Sequence, residues 1–305
     1  MYKKDIKQIE LIKYYKENRE NYRKMGKRLE KFLKLIFEKE KVTYHSIASR
    51  AKSSESFSKK VERKEYSSLE SATDLCGIRV ITFLESETKI VESVLRKIFL
   101  IDEMRSEDKS ENLGEDKVGY KSIHLVATLP ESMLKMQEFE RFKNLKFEIQ
   151  VRTILQHAWA EVEHDKNYKF SGQLPPDIKR RFKLLAGFLE IADREFENIS
   201  KEITEYEKKV SEEIADNKLQ EIGINSTSLG KYLNEKLGIF IAQSISQKTI
   251  KLLNENEIKN LKDFSEIENT EIIKKYLEQR NKKGPSSYDL MIRHLLSAKK
   301  NDQKD

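Results

Sequence analysis

The amino-acid sequence predicts an α/β protein, and three observations support this prediction. Only four prolines and ten glycines occur in 305 residues, which leaves long stretches able to form helix. Segment 6–40 repeats apolar residues at three- and four-residue spacing, which is typical of an amphipathic helix. Three apolar runs, at 77–84, 123–129 and 145–151, indicate β-strands. Helices and strands therefore share one domain that extends to about residue 215.

The third predicted strand carries the clearest information about the site. In LKFEIQV, the residues Phe147, Ile149 and Val151 alternate with polar residues. Successive side chains of a strand point to opposite faces of the sheet. One face of this strand is therefore expected in the core, and the other presents a polar row formed by Lys146, Glu148, Gln150 and Arg152.

Capping residues, prolines and apolar spacing predict the helices and loops that connect and follow these strands. A helix is predicted at 89–100, and the acidic stretch 101–116 has no periodicity. Thr153 is a predicted N-cap of a helix whose buried stripe comprises Ile154, Leu155, Ala158, Trp159 and Val162. Pro175-Pro176 starts a long helix that ends near residue 215. The composition then changes, so residues 216–305 are predicted to form a small helical C-terminal domain.

Composition excludes several classes of protein. No stretch approaches eighteen consecutive apolar residues, so a membrane-spanning helix is not expected. The N-terminal segment has acidic residues and no apolar h-region, which argues against a secretory signal. Cys76 is the single cysteine and excludes an internal disulfide. These features predict a soluble protein of a reducing compartment, the cytoplasm.

Charge is unevenly distributed along the chain. The net charge is +7, and residues 1–70 carry 20 Lys and Arg against 11 Asp and Glu. Residues 271–305 carry 9 against 5. Two basic ends indicate a polyanionic partner or substrate, whereas Lys-rich solvated helices explain the same counts equally well.

Three polar clusters together suggest phosphate chemistry. Asp74 precedes the first strand and Glu148 lies on the polar face of the third, so both could hold Mg²⁺ together with substrate phosphates. Tyr120 could offer a ring on which a base stacks. The complementary cations are Arg50, Lys52, Lys60, Arg79 and Arg152.

Other interpretations of these residues remain open at this stage. A polar strand face is more often a solvated antiparallel sheet than a catalytic row. His157, Glu161 and His164 share one helix face, as zinc ligands would, but no further ligand is evident.

Order and spacing of the clusters resemble the synthetase domain of the RelA/SpoT family, especially the small alarmone synthetases. The resemblance runs from about residue 44 to 169 and rests on GYKSIH at 119–124 and EIQVRTILQHAWAEVEHDKNYK at 148–169. It implies a nucleotidyltransferase-like mixed β-sheet surrounded by helices. It also implies transfer of pyrophosphate from ATP to a ribose 3′-hydroxyl of GDP or GTP, with release of AMP, to give (p)ppGpp.

The resemblance also implies a role for each matching residue. Arg50 and Arg79 would sandwich the adenine of ATP, and Lys52, Ser56 and Lys60 would hold its phosphates. Asp74 would bind Mg²⁺, and Glu148 would be the second ligand or the general base. The residues implied on the acceptor side are Lys117, Tyr120, Lys121, His124, Gln150, Arg152 and His157.

Two departures from the family pattern concern the acceptor. Asp116 stands where a lysine is expected, with Lys117 displaced by one position, and His157 stands where several small synthetases have asparagine. An alternative acceptor is therefore the 3′ CCA end of tRNA, which toxic relatives modify to block translation. A catalytically inactive nucleotide-binding regulator is the second alternative, although Asp74 and Glu148 are intact. Further implied partners are a second copy of the chain in a homo-oligomer and an antitoxin.

Overall fold

The structure, a computed structural model, describes residues 2–63, 66, 68, 71–108, 122–170, 174–239, 245–283 and 288–302. The chain forms two compact units, Met1–Asn198 and Ile199–Asp305. The division between them falls inside the helix Pro176–Ala215. The boundary predicted from composition, after residue 215, coincides with the end of this helix.

The first unit combines helices with a mixed sheet, as predicted. Its strands are β1 Ser46–Ala51, β2 Cys76–Thr82, β3 Leu100–Ile101, β4 Glu107–Asp108, β5 Ile123–Thr128 and β6 Phe147–Thr153. Its helices are α1 Tyr2–Lys39, α2 Ser54–Glu62, α3 Glu85–Ile98, α4 Glu131–Leu134, α5 Ile154–Lys169 and the first part of α6 Pro176–Ala215.

The order of strands in the sheet places β6, which carries the predicted polar row, beside β2. Among the described residues, the strand order is β1-β2-β6-β5-β3, and β4 pairs with β5. Strands β2 and β6 are parallel, whereas the other pairs are antiparallel. The predicted strands correspond to β2, β5 and β6. The parallel pairing brings residues 77–82 beside residues 148–153, although they are far apart in sequence.

Two elements beside the site, β1 and α2, were not predicted. The β1 sequence SIASRA has few β-branched or aromatic residues, so its strand propensity is low. It forms because Ile47 and Ala51 are buried and every residue pairs with β2. Helix α2 begins at an N-cap, where the Ser53 side chain accepts a hydrogen bond from the Ser56 backbone N–H.

The prediction for the face of α5 was wrong. Thr153 does accept a hydrogen bond from the Gln156 backbone N–H, as an N-cap would. The proposed buried stripe is not buried, however, since Val162 is 52% exposed and Ile154 is 36% exposed. Helical spacing identified an apolar face but did not determine what covers it.

The second unit is helical over its described residues. Its core is built on buried apolar residues of which Leu229, Leu253, Phe264 and Ile292 are fully covered. Its helices beyond the end of α6 are α7 Ser226–Glu235, α8 Gln247–Glu255, α9 Leu261–Ser265, α10 Thr270–Lys283 and α11 Tyr288–Asp302. No helix in the described ranges of either unit is long and apolar enough to cross a membrane.

Helix α1 packs closely on the sheet through a glycine. A Cβ atom added to Gly26 would lie 3.1 Å from the Ser49 Cβ and 3.2 Å from the Cys76 Sγ. Leu29, Leu33 and Met25 of the same helix are fully buried in the core of the first unit. The absence of a side chain at Gly26 therefore allows α1 to lie directly over β1 and β2.

We expect Gly26→Val to lower the free energy of unfolding of the first unit by about 1–3 kcal/mol, because the added methyl groups overpack this contact. Gly230→Val in α7 is the control, since a Cβ there meets nothing within 4 Å. Thermal unfolding followed by circular dichroism would measure both variants. A Gly26→Val chain that melts at the wild-type temperature would contradict the close approach at Gly26.

Candidate active site

The polar face of the sheet brings together residues from three strands. Arg50 of β1 lies opposite Gly77 of β2, and Gly77 lies opposite Glu148 of β6. One step further along, Arg79 lies opposite Gln150. Because Gly77 has no side chain, the face is open between Arg50 and Glu148. A cavity of about 130 Å³ lies at this point.

The cavity collects most of the residues expected on the ATP side. Its functional lining consists of Arg50, Lys52, Asp74, Arg79, Glu148 and Gln150. The remaining walls come from Ala48, Ser49, Gly77 and Ile78. Cations and two carboxylates therefore meet in a small cavity on the sheet face.

Asp74 lies in the loop just before β2, and its carboxylate accepts hydrogen bonds from three side chains. Its Oδ2 accepts hydrogen bonds from the Nζ atoms of Lys52, at 2.5 Å, and Lys60, at 3.1 Å. Its Oδ1 accepts a hydrogen bond from the Tyr66 hydroxyl at 2.5 Å. Lys52 directly follows β1 and Lys60 lies on α2, so three separate segments converge on this carboxylate.

Burial and charge act in opposite directions on this cluster. Burial tends to raise the pKa of the Asp74 carboxyl, but Lys52, Tyr66 and Lys60 together lower the pKa below its ordinary value. For Lys52, burial is the main cause and lowers the pKa of the ammonium group, while Asp74 partly offsets it. Asp74 is therefore ionised at neutral pH.

Glu148 is held by a histidine from the neighbouring strand β5. The Nδ1 atom of His124 lies 2.7 Å from the Glu148 Oε1. Burial tends to raise the pKa of Glu148, but hydrogen bonds with His124 and Gln150 lower the pKa below its ordinary value. The other ring nitrogen of His124, Nε2, is buried and has no hydrogen-bond partner among the described residues.

The two carboxylates fit a divalent cation. Asp74 and Glu148 line the same cavity. Mg²⁺ commonly uses one or two carboxylates and takes its other ligands from phosphates and water, so the side chains of Asp74 and Glu148 are of the type that it requires.

A second charged cluster lies beside the cavity, around Glu161 of α5. The Glu161 Oε1 accepts hydrogen bonds from Arg79, at 2.7 Å, and Arg152, at 3.4 Å. The same oxygen lies 3.9 Å from the Nδ1 atom of His157. Burial lowers the pKa of His157, and nearby Arg152 lowers it further. Glu161 therefore connects Arg79 of the ATP side with the expected acceptor residues Arg152 and His157.

The remaining predicted residues have different outcomes. Ser56 is exposed on α2, where its hydroxyl bonds with that of Ser53, and it does not line the cavity. Lys117, Tyr120 and Lys121 lie outside the described residues. Sequence reasoning missed the contribution of Tyr66, because a tyrosine in a loop carries no spacing signal. Glu161 was considered only as a zinc ligand.

Comparison with known proteins decides the family. A profile described as "Region found in RelA / SpoT proteins" matches residues 49–173. The GTP pyrophosphokinase YjbM of Bacillus subtilis (strain 168) is 30% identical over 164 residues, which cover 52% of this chain and 73% of YjbM. The chain belongs to the RelA/SpoT family. A second RelA/SpoT relative, the GTP pyrophosphokinase YwaC of the same organism, is 30% identical over 161 residues, or 51% of this chain and 73% of YwaC.

Solved structures of the family agree with the observed fold. Small alarmone synthetase 1 from Bacillus subtilis has a TM-score of 0.53 at 26% identity, covering 63% of this chain and 99% of that one. The structure of that protein bound to its product pppGpp has a TM-score of 0.50 at 29% identity, covering 60% and 94%. The prediction of a RelA/SpoT-type synthetase domain is confirmed, and the chain is an enzyme of the pyrophosphokinase type.

We expect Asp74→Asn to reduce the free energy of unfolding at pH 7 by about 1–3 kcal/mol, because the Lys52 ammonium group then loses its charged acceptor. The pKa of Asp74 is lower in the folded protein than in the unfolded chain, where it is about 4. The ionised Asp74 therefore stabilises the fold at a pH above about 4, and this stabilisation is lost as the pH falls through the pKa of the folded protein. The stability gap between wild type and variant should therefore narrow below about pH 4.

Urea unfolding at pH 7 and pH 3 would measure the gap, with Glu138→Gln as a control at an exposed carboxylate. A gap of the same size at both pH values would contradict the assignment of Asp74 as a paired, ionised group.

Proposed function

We propose that this enzyme transfers pyrophosphate from ATP to the 3′-hydroxyl of GDP or GTP, forming (p)ppGpp and releasing AMP. The observation that supports it most directly is the cavity in which Asp74 and Glu148 meet Lys52, Arg50 and Arg79. Phosphoryl-type transfer depends mainly on positioning and charge neutralisation, and this cavity offers groups for both. The named activities of YjbM and YwaC point to the same reaction.

The donor would occupy the side of the cavity formed by β1, β2 and α2. Arg50 and Arg79 lie on neighbouring strands and line the same cavity, and their guanidinium groups would stack on the adenine. The ammonium groups of Lys52 and Lys60 both contact the Asp74 Oδ2. When ATP binds, they would contact its phosphates instead. Ser56 lies on the helix that carries Lys60 and remains a proposed phosphate contact.

In the transfer itself, the acceptor 3′-oxygen attacks the β-phosphorus of ATP. A bond forms between them as the bond from that phosphorus to the α,β-bridging oxygen breaks, and AMP leaves with this oxygen. Glu148 would take the proton of the 3′-hydroxyl or act as a second metal ligand. His124 holds the Glu148 carboxylate in place in either role.

Mg²⁺ is the proposed cofactor, with Asp74 as a protein ligand and Glu148 as the second ligand where it does not act as the general base. When bound, it would neutralise charge on the transferred phosphates. This assignment is supported by Lys52 and Lys60, whose ammonium groups both lie at the Asp74 Oδ2.

On the acceptor side, Gln150, Arg152 and His157 would contact the acceptor or arrange the groups around it. Arg152 is almost fully buried, which restricts its side chain, and its Nη2 atom lies 3.4 Å from the Glu161 Oε1. Contacts of Lys117, Tyr120 and Lys121 with the acceptor remain predictions from the family resemblance.

The 3′ CCA end of tRNA is a second candidate acceptor, and helix α1 favours it. Exposed Lys13, Lys16, Lys24 and Lys31 lie on α1. At 3.6 residues per turn, their spacing places them on one side of the helix. Exposed Glu17 and Glu20 lie on the same side, and the net positive charge that remains suits a nucleic-acid backbone.

A transfer assay would distinguish the acceptors. With γ-³²P-ATP and Mg²⁺, we expect label in a guanosine nucleotide when GDP or GTP is offered, and none in bulk tRNA. Label in tRNA alone, with binding that weakens steeply as salt is added, would instead identify tRNA as the acceptor. Label in neither would contradict the proposed reaction.

We expect Asp74→Asn and Glu148→Gln each to reduce transfer at least about a hundredfold, because metal-assisted charge neutralisation supplies several kcal/mol and 1.4 kcal/mol is tenfold in rate. The initial rate of AMP release with acceptor present would measure the loss. Glu138→Gln, at an exposed carboxylate, should keep wild-type activity. Folded Asp74→Asn protein with wild-type activity would remove Asp74 from the machinery.

A further inference from the structure

Tyr66 contacts Asp74, although neither the sequence clusters nor the proposed reaction assigns it a role. It lies in the loop between α2 and β2, is 8% exposed and places its hydroxyl 2.5 Å from the Asp74 Oδ1. We propose that Tyr66 is a positioning residue that fixes the Asp74 carboxylate for the cation, so that Oδ1 is held by the hydroxyl and Oδ2 is presented to the metal. This inference rests on the proposed function.

The two oxygens of Asp74 have different kinds of partner. Oδ2 receives the ammonium groups of Lys52 and Lys60, which sit on long flexible side chains. Those lysines are also the cations that ATP phosphates require, so they can leave Oδ2 when the nucleotide enters. Oδ1 accepts a hydrogen bond from the neutral Tyr66 hydroxyl, which lies on a rigid ring. This hydroxyl has no other role in the proposed reaction. The contact between Tyr66 and Asp74 can therefore persist when the nucleotide binds.

The ring of Tyr66 is anchored by a series of aromatic contacts. Its centroid lies 5.8 Å from that of Phe57 on α2 in a stacked arrangement, and Phe57 lies 4.4 Å from Tyr15 on α1. Phe57 and Tyr15 are fully buried. These contacts fix the direction of the Tyr66 hydroxyl, because an aromatic side chain has only two rotatable χ angles and packing restricts both.

Tyr66 also contacts the phosphate-binding side. The Lys60 Nζ lies 5.2 Å from the centre of the Tyr66 ring, within reach of a cation–π interaction. The Tyr15 hydroxyl donates to the Lys52 backbone carbonyl at 2.8 Å. The aromatic contacts thus support Asp74 and the segments that carry both lysines. Groups that orient a metal ligand through a hydrogen bond typically change metal affinity or activity by about 10–100-fold when they are removed.

Tyr66→Phe tests the proposal, because it removes the hydroxyl and retains the ring. Tyr22→Phe is the matched control: Tyr22 is 6% exposed, packs on Tyr15 at 5.7 Å and does not touch Asp74. The metal probe is Mn²⁺, titrated with electron paramagnetic resonance in the presence of α,β-methylene-ATP, which cannot be cleaved at the reacting position. Binding is therefore measured without turnover.

We expect Tyr66→Phe to weaken Mn²⁺ binding about tenfold or more. The kcat of Tyr66→Phe should fall and partly recover at high Mn²⁺. Tyr22→Phe should stay within about twofold of wild type in both measurements. Unchanged Mn²⁺ affinity in Tyr66→Phe would overturn the proposal and leave Tyr66 as a packing residue. A Tyr66→Phe chain that does not fold would also overturn it, because the hydroxyl would then support the fold rather than the metal ligand.

The same titration separates this inference from the proposed reaction. If wild type binds Mn²⁺, Tyr66→Phe binds it weakly and neither makes a guanosine product, Tyr66 is supported and the acceptor assignment fails. If wild type itself binds no Mn²⁺ with the nucleotide analogue, the Tyr66 assignment and the metal assignment both fail.

Discussion

The arrangement of the site depends on the ion pairs and hydrogen bond of the half-buried Asp74 carboxylate. It gathers Lys52 from the end of β1, Lys60 from α2 and Tyr66 from the following loop. Without an anion there, Lys52 would be a largely buried cation with no carboxylate among its described contacts, which is costly. Asp74 thereby offsets the burial of the two lysines, which are the cations that we propose for phosphate binding.

Glu161 serves a comparable purpose on the other side of the cavity. It draws Arg79 and Arg152 together, and His157 lies one helical turn away on the same helix. Guanidinium groups repel one another, so a shared carboxylate lowers the cost of placing them side by side. Since Glu161 is half exposed, its ion pairs are screened by solvent and individually weak. The donor-side cluster is therefore the more firmly held of the two.

Several features could be predicted from the sequence because they depend on local pattern. Alternation in FEIQVRT identified the polar row of β6, and the order of the motifs identified the RelA/SpoT family. Strands β2 and β5, the long helix α1 and the proline start of α6 follow from the same kind of signal. The residues Arg50, Lys52, Asp74, Arg79, Glu148 and Gln150 were selected from the sequence and line one cavity.

The other features of the fold and the site were decided only by the tertiary structure, because they depend on contacts between segments that are distant in sequence. Strand β1 forms by pairing with β2 despite its weak propensity, and this pairing places Arg50 opposite Gly77. The link from Tyr66 to Asp74 and the sharing of Glu161 between Arg79 and Arg152 join residues whose spacing carries no signal. The exposed face of α5 shows the same limit. Periodicity determines which side chains share a face, whereas burial depends on which surfaces the folded chain brings against it.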